Sequence, residues 1–210
     1  MLPPLLPLFP LPSVVLFPTV FLPLHIFEPR YKQMVTRALD GDRIIGMTLL
    51  KAGHDEAYEG RPPIFDIGCA GLITHVERQN DGRFNLILRG LEKFRIDVEE
   101  PATDGVLYRI AHVTSFEEMV SDAERGALRE ERRRLEVMLE PTIERDSGRL
   151  PRDMADDELV NALSQYLDLE PVEKQALLER PGPLERCRTL IELIEMKVLL
   201  QQRPDGGHRH

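Results

Sequence analysis

The chain has 210 residues, of which 42% are hydrophobic and 30% are charged. This apolar content is enough to build a core and too high for a disordered chain, and the density of charge excludes an integral membrane protein. The formal net charge of −9 repels phosphate backbones, so neither nucleic acid nor a membrane is an expected partner.

The two cysteines, Cys69 and Cys187, lie far apart in the sequence and match no metal-ligand spacing. Two cysteines are also too few for a disulfide framework. We predict that both are small, buried, reduced thiols in a cytoplasmic protein, and that the chain holds no metal and no cofactor.

The first 24 residues carry no charged side chain but include seven prolines. Proline removes helical hydrogen bonds, and unpaired backbone is not tolerated in lipid, so this stretch is not expected to be a membrane helix. It also lacks a basic leader region and a small-residue cleavage site, which argues against a signal peptide. We predict extended chain and short strands, which either pack into the core or line an exposed groove.

Strands dominate the pattern before residue 120. One helix is expected here, because Pro29 suits a first helical position and an apolar stripe follows from Tyr31 to Leu39. Alternating residues predict strands over 44–50, 64–77, 84–89, 93–98 and 107–113, with a loop over 54–63 and a hairpin turn at 80–82. Many short strands separated by turns favour a small closed or nearly closed barrel.

A helical pattern replaces the strands from Ser121, which forms a capping-box signature with Glu124. We predict a first helix to Leu139, a polar connection over 141–151, and further helices before a polar tail. The expected fold class is therefore α+β. Its predicted domains are a β-rich part over 1–118, a helical bundle over 119–203 and a disordered tail over 204–210.

Sequence motifs of catalysis are absent. The chain has no phosphate-binding G-x-x-x-x-G-K-[ST], no G-x-G-x-x-G, no G-x-S-x-G, no S-x-x-K and no H-E-x-x-H. We therefore predict that the protein is not an enzyme and neither hydrolyses ATP nor cleaves unfolded casein. Because catalytic triads are spatial, a hydrolase built from dispersed residues stays an alternative.

Three polar residues stand among apolar neighbours. Glu28 and Arg30 flank Pro29 at the predicted helix start, and Arg89 precedes Gly90 at the end of a strand. They could line a recognition pocket. The favoured interpretation is structural, with Glu28 favoured by the helix dipole and Arg89 buried between strand ends.

Two segments together resemble a known family. The first is LPLFPL at 6–11, VLFP at 15–18 and LPLHIFEPRY at 22–31, and the second is IGCAG at 67–71 followed by DGRFNLILRGLEKFRI at 81–96. This pattern resembles the N-terminal substrate-recognition domain of Lon proteases, most closely the free-standing members that consist of that domain alone. The resemblance covers about residues 5 to 200.

The resemblance implies a PUA-like β-barrel with one helix, followed by a C-terminal helical bundle. It also implies a non-catalytic module that binds unfolded or apolar polypeptide segments, or an unidentified protein partner, without ATPase or protease domains. We place Phe27, Tyr31 and Arg89 nearest an apolar binding surface, on the barrel or in the crease beside the bundle, with Glu28 and Arg30 as structural polar residues.

RNA binding is the remaining alternative, because PUA-like folds elsewhere contact RNA. The negative net charge and the scarcity of aromatic residues interleaved with Lys or Arg argue against it.

Overall fold

The computed structural model describes residues 2–53, 60–145, 151 and 153–201. Parts of the predicted loop and connection, over 54–59 and 146–150, lie outside these ranges, as does the predicted tail over 204–210. The described chain contains six strands and five helices. They are β1 Leu5–Leu11, β2 Phe21–Ile26, α1 Pro29–Leu39, β3 Ile44–Leu49, β4 Ile67–Arg78, β5 Phe84–Glu99, β6 Arg109–Phe116, α2 Asp122–Arg145, α3 Asp156–Tyr166, α4 Pro171–Leu178 and α5 Pro183–Gln201.

All six strands precede residue 117, and four of the five helices follow residue 121, as the change in apolar period predicts. The capping box at the start of α2 is confirmed, since the Glu124 carboxylate accepts from the Ser121 backbone N–H at 3.0 Å. The predicted end of α2 is wrong. The helix continues through Pro141 to Arg145, because the loss of one hydrogen bond at a proline does not by itself end a helix.

The strands form one mixed sheet in the order β2-β5-β4-β3-β1-β6, and β6 also pairs with β5. β1 and β3 are parallel, whereas the other paired strands are antiparallel. The expectation of a closed or nearly closed barrel is met only in part. The β5–β6 pairing joins β5, β4, β3, β1 and β6 in a ring of paired strands, but among the described strands β2 pairs with β5 alone and leaves an open edge, so the sheet is not a closed barrel. The PUA-like class and the C-terminal helical bundle stay predictions.

Strand β5 is 16 residues long and shares one of its edges between two partners. Residues 84–89 pair with β2, and residues 93–99 pair with β6. The change of partner falls at Gly90, whose N–H donates to the Val20 carbonyl at 2.8 Å and whose carbonyl accepts from the Thr19 N–H at 2.9 Å. A Cβ on Gly90 would lie 1.9 Å from the Phe17 carbonyl oxygen, so only glycine fits this approach.

The apolar N-terminal run is mostly core. Leu6, Leu8, Leu16 and Phe17 are fully buried, and β1 lies against the parallel strand β3. Most of the run therefore packs into the core, and only a part of it is left to line a groove. Three large apolar side chains of this run, Leu5 in β1, Phe21 in β2 and Phe27 just after β2, are exposed.

The described chain divides into two compact units. One consists of Met1–Glu118 with Asn161–Glu179 and holds the whole sheet, α1, α4 and the end of α3. Within it, the Lys93 ammonium is buried, forms an ion pair with Glu118 at 2.6 Å and donates to the Leu178 carbonyl at 3.0 Å. These bonds fix the end of α4 to β5.

The other unit consists of Met119–Val160 with Arg180–His210, where α2 packs with α5. Its organising side chain is Arg132, which is 8% exposed. The Arg132 guanidinium contacts Glu136 at 2.9 Å and Asp156 at 2.7 Å, and it donates to the Met154 carbonyl at 2.6 Å.

Replacing Gly90 by alanine should lower the free energy of unfolding by at least about 3 kcal/mol, because the new methyl group overlaps a backbone oxygen that cannot rotate away. Gly126→Ala is the matched control. Gly126 is exposed in α2 with open space around it, so alanine should stabilise the protein by about 0.5–1 kcal/mol. Urea unfolding of both variants measures the difference, and equal stabilities would contradict the close approach at Gly90.

Candidate functional site

A cleft of about 400 Å³ opens between the start of α1, the start of β1 and the segment that leads into β6. Its apolar lining includes Leu5, Tyr31, Val106, Leu107 and Tyr108. Leu5 is 42% exposed and Leu107 is 57% exposed, so apolar side chains are presented to solvent at its mouth. Concave apolar surface with a few polar groups is typical of ligand-binding sites.

Tyr31 forms one wall of the cleft from the first turn of α1. That helix begins at Pro29, where the missing N–H costs nothing, and this start orients Tyr31 toward β1. The Tyr31 hydroxyl donates to the Pro10 carbonyl at 3.1 Å, and its ring centroid lies 4.3 Å from that of Phe9. Only 3% of Tyr31 is exposed, so its role is to support the wall of the cleft by packing against β1.

Glu28 and Arg30 lie beside that wall as an ion pair. The Arg30 Nε atom donates to Glu28 Oε2 at 2.9 Å, and the guanidinium lies 4.5 Å from the centroid of the Tyr31 ring. Both side chains are less than a quarter exposed, at 18% and 24%. This arrangement supports the structural role proposed for them.

The wall opposite α1 is the segment over 100–108, which is fastened to the helix by one side chain. Gln33 donates through Nε2 to the Gly105 carbonyl at 2.7 Å, and its Oε1 accepts from the Leu107 N–H at 2.8 Å. Gly105 has a φ of +80°, which glycine adopts without strain. Both hydrogen bonds hold Leu107 at the mouth of the cleft.

The floor near β6 is fixed by Arg109, whose three nitrogens are all engaged. Nε and Nη2 donate to the two oxygens of Glu99 at 2.8 and 2.5 Å, and Nη1 donates to the Pro62 carbonyl at 2.7 Å. Only 11% of the side chain is exposed. A bidentate pair of this kind is both strong and directional.

The cleft is rich in arginine, although the chain as a whole has a net charge of −9. Its lining carries Arg30, Arg61 and Arg109 with one glutamate, Glu100. Glu28 and Glu99 pair with these arginines, so the three guanidiniums and their three neighbouring carboxylates carry no net charge.

The structure does not bring the three predicted binding residues together. Tyr31 lines the cleft, whereas Phe27 and Arg89 do not. Phe27 is 59% exposed and lies against His25, with ring centroids 6.1 Å apart. Arg89 pairs with Phe21 at the opposite end of β2, six residues or about 20 Å away along the strand. Whether any of the three binds a ligand stays a prediction.

The expectation that Arg89 is buried is wrong. Its side chain is exposed, because it occupies the outward-facing position of the alternation in β5 between the buried Leu88 and Gly90. Within the described ranges, no ion pair or hydrogen bond involves its guanidinium. Arg89 therefore cannot tie the strand ends together as proposed.

No local signal in the sequence identifies Gln33, Arg61, Leu107 or Tyr108 as site residues. Leu107 and Tyr108 reach the cleft through the β1–β6 pairing, which joins positions more than 100 residues apart. Arg61 reaches it through its contacts with Glu99 and Glu100, and Gln33 contacts it from α1. The only local indication of the site is the pair of apolar residues Val106 and Leu107 at the start of a predicted strand.

Within the described ranges, no three His, Cys, Asp or Glu side chains meet in a way that would hold a metal ion. Both cysteines are fully buried, as predicted. Burial raises the pKa of Cys187 to about 12, with a smaller contribution from the negative charge of Glu131. Among the described helices, none combines the length and apolar content of a membrane-spanning segment.

Comparison with known proteins shows the family to which this chain belongs. The model of the ATP-dependent protease La (LON) substrate-binding domain matches residues 5–196, and the chain belongs to this family. The resemblance found in the N-terminal motifs is thus confirmed over almost the whole chain.

Curated relatives are Lon proteases. That of Trichlorobacter lovleyi is 28% identical over 92% of this chain and 24% of its own length, and that of Flavobacterium johnsoniae is 28% identical over 96% and 25%. The chain therefore spans about a quarter of the length of these relatives.

Solved structures agree with this family. The Lon N-terminal domain protein from Xanthomonas campestris is 25% identical, with a TM-score of 0.61, over 95% of this chain and 99% of that one. The N-terminal domain of the Mycobacterium avium complex Lon protease shares the fold with a TM-score of 0.67 at 19% identity, over 91% and 98%.

Tyr31→Phe should lower the free energy of unfolding by about 1 kcal/mol, because the buried Pro10 carbonyl loses its donor. Arg89→Ala should change it by less than about 0.5 kcal/mol, because the side chain is exposed. Thermal and urea melts of the two variants test this contrast. A large loss for Arg89→Ala would restore the structural role that its exposure argues against.

The thiol of Cys187 should be unreactive in the folded protein at pH 8, because its raised pKa keeps it protonated and burial denies access. Because the pKa of Cys187 is higher in the folded than in the unfolded protein, the free energy of unfolding should fall as the pH rises above the unfolded value of about 8.5. Since the folded thiol is protonated and buried, labelling with a disulfide reagent should occur only as the protein unfolds. Rapid labelling of native protein would show that Cys187 or Cys69 is open to solvent.

Proposed function

We propose that this chain is a polypeptide-binding module that acts by recognition rather than by catalysis, and that its cleft is the binding site. The observation that carries the proposal is a concave apolar site with exposed Leu5 and Leu107, formed in a chain that belongs to a substrate-binding family. The ligand is an extended or unfolded segment that places apolar side chains into this cleft.

The chemistry of the walls supports this choice of ligand. Tyr108 offers ring surface, and Leu5 and Leu107 offer aliphatic surface, at the edge of a volume of about 400 Å³. That volume accommodates a few side chains rather than a folded domain. Burial of apolar area contributes about 25 cal/mol per Å², so a small contact of this kind gives weak binding.

The rigidity of the walls supports it as well. Gln33 fixes the 100–108 segment, Arg109 fixes the floor, and Tyr31 is packed on β1. A site that is formed before the ligand arrives loses less entropy on binding.

Non-catalytic action is part of the proposal. The sequence contains no nucleotide-binding or Ser-Lys motif, and the family match is to a substrate-binding domain. Binding should therefore need neither ATP nor a metal ion.

The test is a titration of a fluorescein-labelled, permanently unfolded polypeptide, followed by fluorescence anisotropy. Leu107→Asp should weaken binding about tenfold, because it removes apolar surface and puts a carboxylate at the mouth of the cleft. Phe27→Asp is matched in exposure, at 59% against 57%, and tests the surface chosen from the sequence.

Met196→Asp, on the exposed face of α5, is the neutral control. If Phe27→Asp abolishes binding and Leu107→Asp does not, the site lies at the end of β2. If no variant differs from the folded wild-type protein, the apolar cleft is not the binding site.

A further inference from the structure

Arg61 differs from the other two arginines of the cleft in how its nitrogens are used. Its Nη2 donates to the Glu100 carbonyl at 2.8 Å and contacts Glu99 at 3.4 Å. Among the residues that the structure describes, Nε and Nη1 of Arg61 have no hydrogen-bond partner. Arg109, by contrast, has all three nitrogens engaged, and Arg30 is held by Glu28.

The remaining donors of Arg61 belong to a side chain that lines the cleft and is 39% exposed. Tyr108 lines the same cleft, and its hydroxyl likewise has no hydrogen-bond partner within the described ranges. The neighbouring acidic groups are already occupied, since Glu99 binds Arg109 and Glu100 contacts His112 at 2.7 Å. Among the residues that the structure describes, the lining thus offers unused donors beside apolar surface.

A planar guanidinium with free donors matches the geometry of a carboxylate, which accepts two hydrogen bonds at once. We infer that the cleft recognises polypeptides that present a carboxylate next to apolar side chains, with Arg61 as the anchor of the carboxylate. This inference rests on the proposed function and specifies its substrate class.

The carboxylate has two possible sources, the C-terminus of the polypeptide or an Asp or Glu side chain. Three labelled peptides of one apolar sequence separate them: one with a free C-terminus, one with an amidated C-terminus and an internal Glu, and one amidated with Gln at that position. Each is titrated against wild-type protein and two variants. Arg61→Gln removes the anchor, and Arg83→Gln, at the exposed hairpin, is the matched control for loss of one positive charge.

At least one carboxylate peptide should bind wild-type protein about five- to tenfold more tightly than the neutral peptide, because the pair is charge-assisted but partly screened by solvent. Arg61→Gln should remove this advantage and leave the neutral peptide within about twofold, whereas Arg83→Gln should preserve it. Added salt should reduce the advantage. The peptide that shows it identifies the source of the carboxylate.

An advantage that is absent in wild-type protein, or that persists in Arg61→Gln, overturns the inference. The proposed function fails separately, when none of the three peptides binds or when Leu107→Asp leaves the neutral peptide unaffected. Thermal melts confirm that each variant is folded. Arg61→Lys provides a second reading, since it keeps the charge and loses the paired donors, and it should retain only part of the advantage.

Discussion

The architecture of the sheet-containing unit depends on how one long strand divides its edge between two neighbours. β5 pairs with β2 before Gly90 and with β6 from Lys93 onward, while β4 occupies its other edge. The chain at Phe17 approaches Gly90 so closely that no side chain fits between them. Because β6 also pairs with β1, this division places the start of β6 beside β1 and α1, and so forms the cleft.

A buried charge follows directly after the change of partner. Lys93 is 1% exposed and is neutralised by Glu118, while it also donates to the last turn of α4. A buried pair of this kind contributes little net stability compared with apolar residues, but the loss of either partner is costly. Its effect is to fix which segment packs on β5, and it brings a helix from late in the chain into the unit formed by the early strands.

Much of the fold could be predicted from local pattern. The stripe from Tyr31 to Ala38 is buried on α1, the Asn80-Asp81-Gly82 turn joins β4 to β5 with Gly82 at a φ of +79°, and the capping box starts α2. These features are determined by neighbours in the sequence. The open edge at β2 and the continuation of α2 past Pro141 depend on pairings and packing that the local pattern does not encode.

The site was harder to predict for the same reason. Tyr31 stands out locally in the sequence, and it lines the cleft. Leu107 becomes part of the site only through the β1–β6 pairing and the two hydrogen bonds of Gln33, and Arg61 only through its contacts with Glu99 and Glu100. The position of Arg89 before Gly90 suggests a buried side chain, but the alternation along β5 turns this side chain outward.

The location of the binding site is the central claim, and hydrogen exchange measured by mass spectrometry tests it without any substitution. Exchange is compared for the protein alone and with a saturating unfolded polypeptide. The account predicts slower exchange in residues 28–33 and 100–110, which form the two walls of the cleft, and no change over 21–27 or in α5. Protection confined to β2 and Phe27, or to α5, would contradict it.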